Sequence, residues 1–203
     1  MSNFEQGTSN FDFKTSVIAP SLNIPCSIFD ILPASNLAHT HLNQADIMTA
    51  STKPLPRVQL FTDGGCSGNP GPGGWAFILR HLASGKEMEQ SGAERTSTNN
   101  AMELTAVVRG LEILKTRCHV DLFTDSVYVG KGLTEWMPKW KANGWRRREG
   151  ISWKPVKNED LWRELDQLAA KHELAYTRVA GHSGHPENDR CDELAVAAYQ
   201  KYL

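Results

Sequence analysis

Apolar and polar positions show no sustained period up to about residue 56, and from Arg57 onward they fall into clear patterns. VQLFTD (58–63) is a short apolar run that predicts a strand. GGCSGNPGPGG (64–74) reads as a turn region, and WAFILRHL (75–82) as a second strand. After a Ser84-Gly85 turn, GKEMEQSGAE (85–94) predicts a third, antiparallel strand. In STNNAMELTAVVRGLEILK (97–115) apolar residues recur at 101, 104, 107, 108, 111 and 114, the stripe of an amphipathic helix, with Thr98 or Asn99 as its cap. HVDLFTD (119–125) is a fourth strand, and SVYVGKGLTEW (126–136) looks helical. A tryptophan-rich basic segment follows, then a helix around NEDLWRELDQLAAKH (158–172) and a fifth strand in LAYTRVAGH (174–182). The last helix starts near Pro186, since proline suits the first helical turn. Three antiparallel strands followed by alternating helices and strands predict an α/β fold around a sheet of mixed direction.

The aperiodic stretch 1–56 closes on STKPLPR and is expected to be a disordered extension preceding a domain at 57–203. Met48 offers an alternative start of translation. Charge sharpens the division. Residues 1–50 hold one basic residue, Lys14, against Glu5, Asp12, Asp30 and Asp46, so the positive excess lies in the domain although the whole chain carries −1. The four cysteines, at 26, 66, 118 and 191, form no CxxC pair, which argues against a disulfide framework or a zinc ribbon. No apolar run approaches the roughly 18 residues that span a bilayer, and the N-terminus lacks a basic region followed by an apolar one. The expectation is a soluble cytoplasmic protein.

Candidate chemistry lies in the acids. Two strands end alike, in LFTD at Asp63 and again at Asp125; the first helix carries Glu103 and the last carries Asp192. Spacing alone leaves two readings open: four unrelated acids serving turns and solvated faces, or one cluster. Clustered carboxylates would raise one another's pKa, a conflict that a cation removes. An all-oxygen donor set favours a hard ion such as Mg²⁺.

FTDGGCSGNPGPGGWAFILR, TNNAMELTAVVRGLEIL, TDSVYV and GHSGHPENDRCDELA resemble, in order and spacing, the blocks of bacterial type 1 ribonuclease H. The similarity runs from about residue 57 to 200. It implies a ribonuclease H-like fold, a five-stranded mixed sheet with flanking helices and a basic protrusion. It also implies an endonuclease that cuts the RNA strand of RNA–DNA hybrids and leaves 5′-phosphate and 3′-hydroxyl ends. By the same resemblance Asp63, Glu103, Asp125 and Asp192 are the metal ligands. Two Mg²⁺ ions are expected with substrate bound, and Mn²⁺ is a possible substitute. Asp63 would bridge the two ions, with Glu103 and Asp125 on one side and Asp192 on the other. Asp189 shares a helical face with Asp192, but the block places the ligand at 192. His182 matches the family's mobile-loop histidine, able to relay a proton, whereas His185 reads as structural.

For substrate binding the resemblance points to Cys66, Asn69, Asn99 and Asn100 against the minor groove, where 2′-hydroxyls mark the RNA strand. Thr98 and Asn69 would hold a phosphate of the DNA strand. Helix capping by the asparagines is compatible with this, and Cys66 could equally be an inert turn residue. Residues 131–157 hold eight cations against Glu135 and Glu149, interleaved with Trp136, Trp140, Trp145 and Trp153. This segment resembles the family's basic protrusion. Trp136, Trp140, Arg146, Arg147 and Arg148 are expected to grip the duplex while the tryptophans also pack. The sequence departs from the family pattern at Gly65, Val127 and Ala180, none of them a ligand position. An RNA–DNA hybrid is the expected partner, with no membrane, no obligate protein partner and a monomeric state. A transposase or integrase core of the same fold would need a second DNA-binding domain. A binding module that has lost catalysis would not need all four carboxylates.

Overall fold

A computed structural model describes residues 54–181 and 184–203. Residues 1–53, with Met48 and Cys26, and the loop residue His182 lie outside the described residues. Strands β1 (Arg57–Cys66), β2 (Gly71–His81), β3 (Lys86–Ser97), β4 (His119–Thr124) and β7 (Glu173–Arg178) form one sheet in the order β3-β2-β1-β4-β7. β1 pairs antiparallel with β2, and β2 with β3; β4 runs parallel to both β1 and β7. Helix α1 (Asn99–Glu112) begins at Thr98, whose hydroxyl accepts a hydrogen bond from the Ala101 N–H, and crosses back between β3 and β4. α4 (Glu159–Ala169) packs beside α1, and α5 (Pro186–Tyr199) covers the other face.

Alternation along β1 explains the two layers. Val58 and Leu60 point into the larger core with Leu104, Val107, Val108, Leu111 and Trp162. Phe61 points the other way, into a smaller core with Ala76, Ile78, Cys191 and Ala195 of α5. The parallel register sets Leu60 beside Leu122 and Phe61 beside Phe123, so the two LFTD segments run side by side. Their phenyl rings stack with centroids 4.9 Å apart. Among the described residues no helix is long and apolar enough to cross a membrane.

Three boundaries differ from the sequence expectation. Residues 64–74 are not all turn: Gly64 pairs with Trp75, Gly65 with Gly74 and Cys66 with Gly73, so the ladder continues through the glycines. Cross-strand pairing overrides the weak strand preference of glycine there. The fifth strand stops at Arg178 rather than reaching 182. The stretch 126–136 is not one helix but α2 (Val127–Lys131) followed by a π-turn over Gly132–Trp136, which leads into α3 (Met137–Ala142). Beyond α3, β5 (Arg146–Glu149) and β6 (Ser152–Pro155) form a separate two-stranded hairpin that carries Arg146, Arg147, Arg148 and Lys154.

Candidate active site

Because the two LFTD segments are in register, Asp63, three residues before the end of β1, and Asp125, directly after β4, lie on adjacent chains toward the same end of the sheet. Burial is the largest influence on Asp63, followed by the charges of Asp125, Asp192 and Glu103; together they push its pKa up to about 7. The Gly64 N–H, 2.7 Å from its Oδ1, opposes the shift without cancelling it. Asp189 is not among the charges that act on Asp63, although it lies one helical turn before Asp192.

Glu103 arrives from α1, and its closeness to β1 depends on Gly64. A Cβ at that position would stand 2.4 Å from the Met102 carbonyl carbon and 2.6 Å from the Glu103 nitrogen. Any side chain there would push the helix off the strand. Glu103 accepts a short hydrogen bond from the hydroxyl of Ser126, which also caps α2 through the Val129 N–H. Burial raises the Glu103 pKa most, the Ser126 bond lowers it, and Asp125 raises it further. Gly181 leaves room for Asp125, since a Cβ there would meet Oδ2 at 2.4 Å.

α5, which carries Asp192, is fixed at its start by an ion-pair clamp. Arg80 on β2 donates to Glu187 at 2.6 Å and to Glu87, and its guanidinium lies 5.3 Å from the centre of the Phe61 ring. His185 occupies the N-cap position with its ring against Phe61 and Phe123, 3.3 Å from Glu187. Cys191, next to Asp192, is buried with its Sγ toward the Phe61 carbonyl. Burial, then the Asp63 charge, push its thiol well above the usual range, which favours the protonated form.

Among the described residues no trio of His, Cys, Asp and Glu side chains stands as a closed metal cage. A half-buried, all-oxygen donor set in which burial and neighbouring carboxylates raise the pKa of Asp63 and Glu103 nevertheless suits a hard divalent ion, whose charge would relieve the repulsion.

An open groove of about 500 Å³ runs along the carboxylates, lined by Asn100, Glu103, Asp125 and Ser126, and by Val127, Tyr128, Lys131 and Trp136 from α2 and the π-turn. Trp140 does not line it; that ring stands behind Trp136 at 5.7 Å and leads on to the buried Trp162 at 5.4 Å. Cys66, Asn69, Thr98 and Asn99 gather instead at the start of α1. The Asn99 side-chain oxygen accepts from the Cys66 N–H at 2.8 Å, and that of Asn69 accepts from the Asn99 N–H at 3.3 Å. Arg146, Arg147 and Arg148 lie on the β5–β6 hairpin. Arg147 pairs with Glu149, whereas Arg146 and Arg148 donate to the carbonyls of Trp153 and Gly150. Sequence reasoning missed Ser126, Gly64, Gly181 and Tyr128, and counted Lys131 only among the cations of the basic segment. For Ser126 a signal existed, a capping residue directly after Asp125.

A family model described as RNase H matches residues 56–200. The ribonuclease H of Rhodopirellula baltica is 57% identical over 154 residues, covering 76% of this chain and 96% of that protein. That of Hydrogenovibrio crunogenus is 54% identical over 144 residues, covering 71% and 96%. Among solved structures, LC9-RNase H1, described as a type 1 RNase H with the type 2 active-site motif, matches with a TM-score of 0.64 at 32% identity, over 75% of this chain and 76% of that one. LC11-RNase H1, solved in complex with an RNA/DNA hybrid, shares the fold with a TM-score of 0.54 at 22% identity, over 71% and 97%.

Proposed function

The chain belongs to the RNase H family, and we propose that it is an endonuclease that hydrolyses the RNA strand of RNA–DNA hybrids, leaving 5′-phosphate and 3′-hydroxyl ends. The observation that carries this reading is Asp63, a half-buried carboxylate whose pKa is raised to about 7 by desolvation and three further carboxylates. Asp63, Glu103, Asp125 and Asp192 would hold the divalent ions on which this family in general depends: two Mg²⁺ per site with substrate, or Mn²⁺ in their place. Bound there, such ions supply activation of water and stabilisation of charge on the reacting phosphate. The chain's own contribution is positional. Ser126 holds Glu103 by its hydroxyl, Gly64 admits α1, and the Arg80–Glu187 clamp keeps α5 and Asp192 against the sheet.

His182 is the proposed proton relay of the loop before α5. Asn100 and Trp136 would meet the duplex in the groove, with Trp140 supporting Trp136 from behind. Cys66, Asn69 and Asn99, with Asn100, would face its minor groove, and Thr98 and Asn69 would hold a phosphate of the DNA strand. With the Asn99 oxygen committed to the Cys66 N–H, the amide NH₂ is left to donate outward. Arg146, Arg147 and Arg148 would hold backbone phosphates further along. The protein acts as a cytoplasmic monomer with no obligate protein partner.

The test is a labelled RNA–DNA duplex incubated with the full chain, with and without Mg²⁺. Metal-dependent cutting of the RNA strand alone is expected. Binding without cleavage would favour a hybrid-binding module, and cutting of the DNA strand would overturn the substrate assignment.

A further inference from the structure

α2 ends at Lys131, and the chain continues into the π-turn, where the Met137 N–H returns to the Gly132 carbonyl. An α-helix brings a side chain back to the same face after about four residues, a π-turn after about five. Val127, Lys131 and Trp136 are spaced four and then five residues apart, and all three line the groove that holds Glu103 and Asp125. Continued α-helix would have brought Glu135 to that face instead. The extra residue of the π-turn thus replaces an acid with an indole on the groove wall.

Lys131 is the one cation among the groove's lining residues. Among the described residues its ammonium has no ion pair or hydrogen bond, although two carboxylates share the groove with it. Of the segment's other cations, Lys141 pairs with Asp166 at 2.7 Å, Arg147 with Glu149 at 3.2 Å and Lys154 with Glu149 at 2.5 Å, and none of these lines the groove. An ammonium offers three donors and no acceptor, and at the rim of an open groove its complement is an anionic oxygen brought by the ligand. Val127, 45% exposed, offers only apolar surface and can make no hydrogen bond to a base edge.

Resting on the hydrolase reading above, we infer that Lys131 seats a backbone phosphate other than the scissile one. The Val127–Lys131–Trp136 stripe holds the duplex by charge and apolar contact, without reading base identity. Lys131 is a positioning residue, and its contribution is to binding.

The experiment measures binding of a fluorescent RNA–DNA hybrid across a salt series by full-length Asp63→Asn protein, alone and combined with Lys131→Gln or Lys131→Arg. Steady-state cleavage by the single Lys131 variants runs beside it. Lys131→Gln should weaken binding several-fold and flatten the slope of log K against log salt by about 0.9, the signature of one phosphate fewer neutralised. KM should rise more than kcat falls, and Lys131→Arg should restore both KM and the slope. An unchanged slope in Lys131→Gln, or equal losses in the Gln and Arg variants, would overturn the phosphate seat. Val127→Gln should make cut sites more dependent on sequence; an unaltered cutting pattern would refute the claim that Val127 keeps this wall blind to bases. Absence of cleavage by the wild type would strike the hydrolase reading and not the phosphate seat, because the slope comes from binding alone.

Discussion

The carboxylate edge of the sheet and the basic hairpin hold their charges in opposite ways. At the edge, like charges are forced together by buried backbone, and Asp63 is pushed up to about 7 as a result. On the hairpin, Arg147 and Lys154 share Glu149, and Arg146 and Arg148 bond to carbonyls in open solvent. Repulsion of the first kind is relieved by taking up a proton or by binding a cation, so that region is suited to chemistry. Solvent-exposed pairs contribute little to folding, and such cations exchange partners readily when a polyanion arrives. That region is suited to affinity. Substitutions should therefore divide by region: turnover lost at the edge, binding lost on the hairpin.

The largest expected effect is at Asp63. Asp63→Asn should abolish cleavage while hybrid binding, followed by fluorescence anisotropy, survives or tightens. Activity above roughly a few per cent of wild type would refute its central place among the ligands. Next, Asp192→Ala should lower kcat on the order of a hundredfold and Asp189→Ala far less. Equal losses would mean that α5 presents the other acid to the site. Gly64→Val tests the close approach of α1. It should cut activity and lower Tm by roughly 5–15 °C, because the new Cβ meets the backbone at Met102. A drop in Tm with activity intact would show that Glu103 does not depend on that close approach.

On the hairpin, joint replacement of Arg146, Arg147 and Arg148 by Ala should raise KM and reduce the salt slope by at most about 0.9 for each phosphate no longer neutralised, with kcat much less affected. Arg147 should contribute least of the three, since its charge is already offset by Glu149 and Lys154 stays with that carboxylate when Arg147 is removed. Loss of kcat at saturating substrate would erase the contrast between the regions.

The smallest effect lies at the far end of the same sheet. His172 is buried and its Nδ1 accepts from the Cys118 N–H at 3.3 Å. Burial, then Lys171, lower its pKa from 6.5. A histidine depressed in the folded state costs nothing while neutral. As pH falls through about 6.5, the unfolded chain takes up the proton first and stability declines. A series of Tm against pH should show that decline in wild type and a flatter profile in His172→Gln. Identical profiles would assign the acid sensitivity elsewhere.

Much of the carboxylate edge was legible because its signals are local and repeated. Two LFTD segments, an apolar stripe from 101 to 114 and a capping Thr98 each specify their own element. The hairpin was less legible. RRRE and SWKP hold four residues each with no inward-facing core, so neither carries an apolar alternation, and only Gly150 at the turn, with φ 60°, marks the reversal. The glycines at 64 and 65 misled in the other direction, since their place in the strand is set by β2 and, at Gly64, by α1 from outside. Nor does residue order reveal a π-turn, which arises where packing beside Trp162 admits Gly132 and no larger residue.

The parallel register of the two LFTD segments has a consequence for how this protein can change over generations. Adjacent strands are pinned about 4.8 Å apart by main-chain hydrogen bonds, whatever their side chains. The separation of Asp63 and Asp125 is therefore inherited from the polypeptide itself rather than from the surrounding residues. Drift among the apolar neighbours can alter how firmly the sheet is covered, yet it cannot easily respace the two acids. Insertions in the hairpin or before β1 leave that interval untouched, so lineages are free to remodel how they hold a substrate while the cutting geometry stays constant.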